Sequence, residues 1–401
     1  MNILILSHLY PTPHDPSFGI FIHQQIQYLR QLGHQVTVLA PIPWSPRIFN
    51  FRPKWRNYYQ TPARHHWGDF DSYYPRYLRL PGAWFRAFAG LSYYHRVLAQ
   101  ILALHHTQPY DLIHSHMLLP DGLAAIFLGR ELGLPTVCTM HGSDALHFPY
   151  ENSLNRHASN FVLRYTDQMI AVSQAMQLEV EQQLAATRRP IRVVRYGVNS
   201  DLFQNKPASS VNQPTCLNEL TPYILFVGRD IKRKGLLDLL IAFERVMKQI
   251  DHNLVIIGPT WAEVEQLAPA LIGNLQDRLK IAGRLPHEEV ASYMQACEFF
   301  VLPSYLEGLP NVILEAMACG KAVVSTDVAG IPEQVVGNVT GYLVQPGDIP
   351  ALTEAICDLA QNPDRCREMG QHGQTRVLTE FTWQSNVQTL LSIYKMLLSR
   401  S

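Results

Sequence analysis

The chain has 401 residues, 47% of them hydrophobic and 16% charged, and its 33 Lys plus Arg balance its 33 Asp plus Glu. That length exceeds one ordinary core and fits two domains, while a zero formal charge excludes a global field that would gather nucleic acid or an acidic polymer. The six cysteines (Cys138, Cys216, Cys297, Cys319, Cys357 and Cys366) form no CxxC pair, which speaks against a disulfide framework or a zinc site and suits a reducing cytosol.

The opening run from Met1 to His8 lacks a basic flank and is too short for a signal peptide. No run approaches the roughly 18 apolar residues that a membrane span needs, so a soluble, cytoplasmic protein is expected. Short apolar runs then alternate with helical patterns, the sequence form of βαβ units and parallel sheets. The first half reads as strands at 2–7, 35–40, 111–114, 135–140, 168–172 and 191–194. Its helices are expected near 20–32, 83–105, 120–132, 153–165 and 173–185. Residues 204–222, rich in Pro, Ser, Asn and Gln, read as a linker. The rhythm restarts at Tyr223, with strands at 223–228, 253–258, 278–282, 298–302 and 322–326, and a last helix spans 384–398. The pattern predicts an α/β chain of two doubly wound domains joined near residue 200.

In open α/β sheets ligands bind beyond the carboxyl ends of the strands, and the informative residues fall there. Ser17-Phe18-Gly19 joins the first strand to its helix, and Gly19 lets backbone approach a phosphate or sugar. His114-Ser115-His116 ends another strand; without a carboxylate or cysteine at ligand spacing it reads as cleft lining near an acceptor, not as a metal site. His141-Gly142-Ser143-Asp144 follows strand 135–140, where His141 could touch a reacting group. Gly228-Arg229-Asp230-Ile231-Lys232-Arg233-Lys234-Gly235 follows strand 223–228. A guanidinium and an ammonium there suit a departing diphosphate, although the glycine spacing is not that of a Walker A loop.

Glu307-Gly308-Leu309-Pro310-Asn311-Val312-Ile313-Leu314-Glu315 follows strand 298–302. Pro310 suits the first turn of a helix that Gly320 ends. Glu307 then lies in the loop and Glu315 inside the helix, beside a helix start that can seat a diphosphate. Each segment also has a plain structural reading. The glutamates could be solvated helix charges, the basic turn mere surface, His141 a satisfied core histidine, and Gly19 an ordinary turn glycine.

Together, in order and spacing, these segments resemble the retaining glycosyltransferases of family four, which have the GT-B fold of two Rossmann-like domains facing a central cleft. The resemblance spans essentially the whole chain and includes Gly283-Arg284-Leu285 and Ala329-Gly330-Ile331-Pro332-Glu333. It implies an N-terminal acceptor-side domain over 1–200, a C-terminal nucleotide-sugar domain over 201–380, and a segment 381–401 whose helix crosses back. Arg229 and Lys234 resemble the diphosphate pair, aided by backbone amides of Gly308, Leu309, Pro310, Asn311 and Val312 as far as each carries one. Glu315 resembles the ribose carboxylate, Glu307 the glutamate at the donor sugar, and His141 the histidine beside that sugar, with the base near Leu285. One departure is Tyr196-Gly197-Val198-Asn199, where the family commonly shows Asn-Gly-Val-Asp.

The implied reaction retains the donor's anomeric configuration, with the leaving diphosphate helping to deprotonate the acceptor hydroxyl and no metal or other cofactor required. Asp69-Phe70-Asp71 matches a cation-binding DxD of another glycosyltransferase fold, but it lies in an irregular aromatic stretch, so no metal role is assigned to it. Alternatives on the same fold are a non-catalytic sugar-nucleotide sensor and an epimerase or phosphorylase. The expected partners are a UDP- or GDP-sugar donor, a lipid-linked or saccharide acceptor, and no nucleic acid. A contact with an anionic membrane is a further expectation. Residues 41–100 carry nine basic side chains (Arg47, Arg52, Lys54, Arg56, Arg64, Arg76, Arg79, Arg86, Arg96) against Asp69 and Asp71, a local charge of +7, together with Trp44, Trp55, Trp67 and Trp84.

Overall fold

A computed structural model describes residues 1–44, 53–68, 70–80, 82–184, 186–205, 222–275 and 277–399. The chain divides into two compact units, Met1–Arg195 with Trp383–Ser401, and Tyr196–Thr382.

The first unit carries β1 (Asn2–Leu6), β2 (Gln35–Leu39), β3 (Ile42–Pro43), β4 (Arg64–Trp67), β5 (Phe70–Tyr73), β6 (Arg76–Tyr77), β7 (Leu112–His116), β8 (Thr136–Met140), β9 (Gln168–Ala171) and β10 (Arg192–Val193). Eight of these form one sheet in the order β10-β9-β8-β7-β1-β2-β5-β4. It is parallel except for the β4–β5 hairpin. Alternation along β1 sorts its side chains by face. Ile3 and Ile5 enter one core with Ile22, Ile26 and Leu29 of the helix Ile20–Gln31. Leu4 and Leu6 enter the other with Tyr93, Val97 and Ile101 of the helix Arg86–Thr107. Both faces are covered, which is why the strand reads as an unbroken apolar run.

The helix Trp383–Leu398 belongs to this first unit. Val387, Leu390, Ile393, Tyr394 and Leu397 join the core of Ile20–Gln31, and the Gln25 side-chain amide donates to the side-chain oxygen of Asn386 at 2.7 Å.

The second unit holds β11 (Tyr223–Val227), β12 (Asn253–Ile257), β13 (Leu279–Gly283), β14 (Phe299–Leu302), β15 (Ala322–Thr326) and β16 (Gly341–Val344). Its sheet runs β13-β12-β11-β14-β15-β16 and is parallel throughout. In each sheet the strand order reverses beside the first strand of the unit, between β1 and β7 and between β11 and β14. Those reversals are where a doubly wound sheet opens a crevice.

Two expectations need correction. The stretch expected to be irregular holds the helix Pro53–Gln60 and β3 to β6. Asp71 sits on β5 and is engaged by Arg64 and, at 3.1 Å, by His66, whereas Asp69 lies outside the described residues. The predicted helix 83–105 is a short 3-10 turn, Ala83–Phe85, followed by Arg86–Thr107. Of the linker, residues 206–221 lie outside the described residues.

Candidate active site

In the second unit the basic turn after β11 and the loop after β14 are drawn together by a glycine. Gly235 starts the helix Leu236–Val246 with φ +68°, and a Cβ there would overlap the Pro303 carbonyl oxygen; only a residue without a Cβ allows that approach. The Tyr305 N–H then donates to the Arg233 carbonyl at 2.8 Å. The result joins the two expected groups: Lys234 is ion-paired with Glu307, and the Ser304 hydroxyl donates to the same carboxylate oxygen at 2.8 Å. Lys234 and Glu307 keep 20% and 11% of their side-chain surface exposed, so both can reach a ligand. Arg229 is exposed just beyond β11.

Gly308, Leu309 and Pro310 are buried and lead into the helix Asn311–Ala318, whose first turn no side chain caps. An uncapped helix start of this kind, with its positive dipole end, can seat an anion. The Asn311 side-chain oxygen is buried without a hydrogen-bond partner, a polar atom that a bound ligand could satisfy. Gln334 steadies this entry by donating to the Pro310 carbonyl at 3.1 Å. Val312 is half-buried in the same turn.

Glu315, inside that helix, accepts from His287 at 3.0 Å. Burial alone would push the His287 imidazole down, but the charge and hydrogen bond of Glu315, with Glu288, outweigh it and leave its pKa above the ordinary value. His287 also meets the Phe203 ring edge-on at 4.9 Å, and half-buried Leu285 lies just before its helix, His287–Ala296.

In the first unit His141 follows β8 and is partly buried. Its ring stacks on His116 at 5.2 Å and its Nε2 is bonded to His116 Nδ1 at 3.0 Å. Burial, with His114 and His8 nearby, pushes its pKa down to about 3, so it is a neutral hydrogen-bonding group at ordinary pH. Asp144 sets the loop, its buried carboxylate accepting from the N–H groups of His141 at 2.9 Å, Gly142 at 3.0 Å and Leu118 at 3.0 Å. Gly19, φ +68°, lets the start of helix Ile20–Gln31 lie against the Leu9 carbonyl.

The reading of His114 as cleft lining is wrong. His114 is fully buried, bonded to the Tyr394 hydroxyl at 2.6 Å and to Thr139 at 2.8 Å. Tyr394 comes from the last helix and closes over it. His116 is almost as buried, and its Nδ1 meets His141 Nε2. Reading the sequence singled out neither His287 nor Gln334 nor the contact of His8 with Asp121. All three depend on long-range packing, and only the pairing of a histidine with a strand end could have flagged His8.

The sequence profile described as "Glycosyl transferases group 1" matches residues 212–376, and that described as "Glycosyltransferase Family 4" matches residues 19–202. The uncharacterized glycosyltransferase MJ1178 of Methanocaldococcus jannaschii is 30% identical, over 78% of this chain and 83% of its own. The putative teichuronic acid biosynthesis glycosyltransferase TuaC of Bacillus subtilis is 28% identical, over 89% and 88%. Among solved structures, Anabaena Alr3699/HepE in complex with UDP-glucose superposes with a TM-score of 0.74 at 18% identity, over 99% of this chain and 100% of that one. Two doubly wound units built on parallel sheets, as in that structure, give the chain the GT-B fold. The chain belongs to the group 1 glycosyltransferases of family four.

Proposed function

We propose that this enzyme transfers a sugar from a nucleoside diphosphate donor, of the UDP or GDP type, to an acceptor hydroxyl with retention of configuration and without a metal. The carrying observation is the cluster of Lys234, Glu307 and Ser304 beside the uncapped start of helix Asn311–Ala318. In this reading Arg229, Lys234 and the helix amides take the diphosphate, whose charge grows as the glycosidic bond breaks. Glu315 takes the ribose hydroxyls, Glu307 the donor sugar, and neutral His141 a hydroxyl of that sugar.

The description of TuaC as a "putative teichuronic acid biosynthesis glycosyltransferase" and the UDP-glucose in Alr3699/HepE support a cell-surface polysaccharide or glycolipid product and a nucleotide-sugar donor. A thermal-shift screen of UDP-glucose, UDP-N-acetylglucosamine and GDP-mannose tests the donor class. One of them should raise the melting temperature, because a ligand that binds only the folded state stabilises it; no shift with any donor at millimolar concentration counts against the reading. Incubation with donor alone separates an epimerase, which needs no acceptor.

A second observation favours work at an anionic membrane surface, on a lipid-linked acceptor. Trp84, Phe85, Phe88 and Leu91 stand 59%, 43%, 43% and 40% exposed on the segment that begins helix Arg86–Thr107. Leu78, Phe88 and Leu91 line a shallow groove of about 590 Å³ with Arg76, His95 and Arg96. Apolar side chains ringed by cations suit the headgroup boundary. Among the described residues no helix is long and apolar enough to cross a membrane. Flotation should show binding to anionic vesicles alone, lost at high salt and weakened by Trp84→Ser with Phe88→Ser; equal binding to neutral vesicles, or none, removes this part.

A further inference from the structure

His287 opens the helix His287–Ala296 and Glu315 lies in the helix Asn311–Ala318, both within the second unit. Nε2 of the imidazole stands 3.0 Å from one oxygen of the Glu315 carboxylate, and the two side chains keep only 13% and 11% of their surface exposed. Among the described residues the second carboxylate oxygen takes no hydrogen bond from the protein. One oxygen is held, and the other is left for a ligand.

The first turn of a helix, with its positive dipole end, disfavours a cation, so the helix itself gives no reason for a charged histidine at its first position. Burial works against the charge as well. Glu315, with Glu288 of the same helix, outweighs both and lifts the imidazole above its ordinary pKa. The loop at 199–203 adds no charge to this contact. It presents the Phe203 ring edge-on at 4.9 Å and is tied down by the Gln295 side chain, which donates to the Leu202 carbonyl at 2.9 Å. Glu315 stands four residues inside the helix whose start, at Asn311, is the proposed diphosphate seat, on the same face and roughly 6 Å along the axis. A bare carboxylate at that separation would repel a diphosphate, weakening its binding by about tenfold. An imidazolium on Glu315 removes the repulsion.

We propose that His287 is a positioning residue of the donor site: it fixes one oxygen of Glu315, leaves the other to the ribose, and cancels the carboxylate's charge, so that affinity for a nucleotide sugar depends on pH. The proposal rests on the reading of Glu315 as the ribose carboxylate. Below pH 6.5 His287 carries its proton and affinity is full; as the pH rises above that value the proton is lost and the carboxylate is uncovered. By reciprocity, a bound donor makes His287 hold its proton more tightly.

The test titrates the intact chain with UDP-glucose, UDP-N-acetylglucosamine and GDP-mannose by calorimetry between about pH 6 and about pH 8.5, a range in which the diphosphate linkage of these donors has no titrating proton. Wild type should bind its donor more weakly towards the top of the range, by about threefold or more. His287→Gln keeps an N–H for Glu315 without the charge. It should bind about tenfold more weakly than wild type at about pH 6 and show no pH dependence, with the loss in donor KM far more than in turnover. His287→Lys, checked for cooperative melting, restores a cation and should keep affinity within about threefold of the low-pH wild type across the range. Wild-type binding that does not change with pH, or the same pH dependence in His287→Gln, overturns the proposal and leaves the donor site standing. Donor binding that Glu315→Ala leaves unchanged removes the ribose reading and the role of His287 with it. A wild-type chain that binds none of the donors contradicts the transferase reading itself.

Discussion

Replacing Lys234 by alanine separates catalysis from folding at the center of the donor site. Breaking a fully buried ion pair costs roughly 3–5 kcal/mol, and an exposed one about 0–1 kcal/mol. Lys234 and Glu307 are 20% and 11% exposed, and Ser304 continues to serve Glu307, which puts the loss near 2 kcal/mol. In a unit of this size that lowers the melting temperature by about 4–8 °C. On the proposed role of Lys234 as a cation at the leaving diphosphate, turnover should fall by a further and separate factor of about 100–1,000. The double variant Lys234→Met with Glu307→Gln removes the uncompensated charge, so its stability should return to within about 1 kcal/mol of wild type. Its turnover should stay low. Differential scanning calorimetry and steady-state kinetics at saturating donor read the two effects. A double variant that regains turnover together with stability would refute the reasoning and make the pair purely structural.

Glu315→Ala should raise the donor KM about tenfold or more with turnover nearly unchanged, since ribose contacts are the same in ground and transition states; titration of UDP or GDP checks it. The raised His287 pKa predicts a pH-dependent stability. A group whose folded pKa lies above its ordinary 6.5 contributes fully below that value and loses the contribution as pH rises through the folded pKa. The melting-temperature advantage of wild type over His287→Gln should therefore be fullest below pH 6.5 and diminish as the pH rises above it. Transfer should persist in excess EDTA without added magnesium or manganese; abolition by EDTA with rescue by metal sinks the metal-free reading.

The parallel strands were legible because both faces of each sheet are covered. Tyr223–Val227 and Ala322–Thr326 are buried almost from end to end and read as continuous apolar runs. The edge hairpin β4–β5 was not, because Arg64 and His66 stand on its open side and break the pattern. In the candidate site, sequence reading singled out Glu307 and Lys234 but not their pairing, which depends on Gly235 meeting Pro303. His114 was misplaced because its cover, Tyr394, lies 280 residues further along the chain. His8 and Asp121, 113 residues apart, have no spacing that sequence reading could catch. Charge and burial decide such partners, and both are properties of the folded chain.

The most direct measurement is proton NMR of the intact enzyme with the nucleotide sugar that stabilises it and an octyl glycoside acceptor, followed through the anomeric signals. An α-linked sugar donor should give an α-linked product and free nucleoside diphosphate in equal amounts, and the signal should be lost in the Lys234→Met, Glu307→Gln variant. A β-linked product, or wild-type product formation in that variant, would contradict retention at the Lys234–Glu307 site.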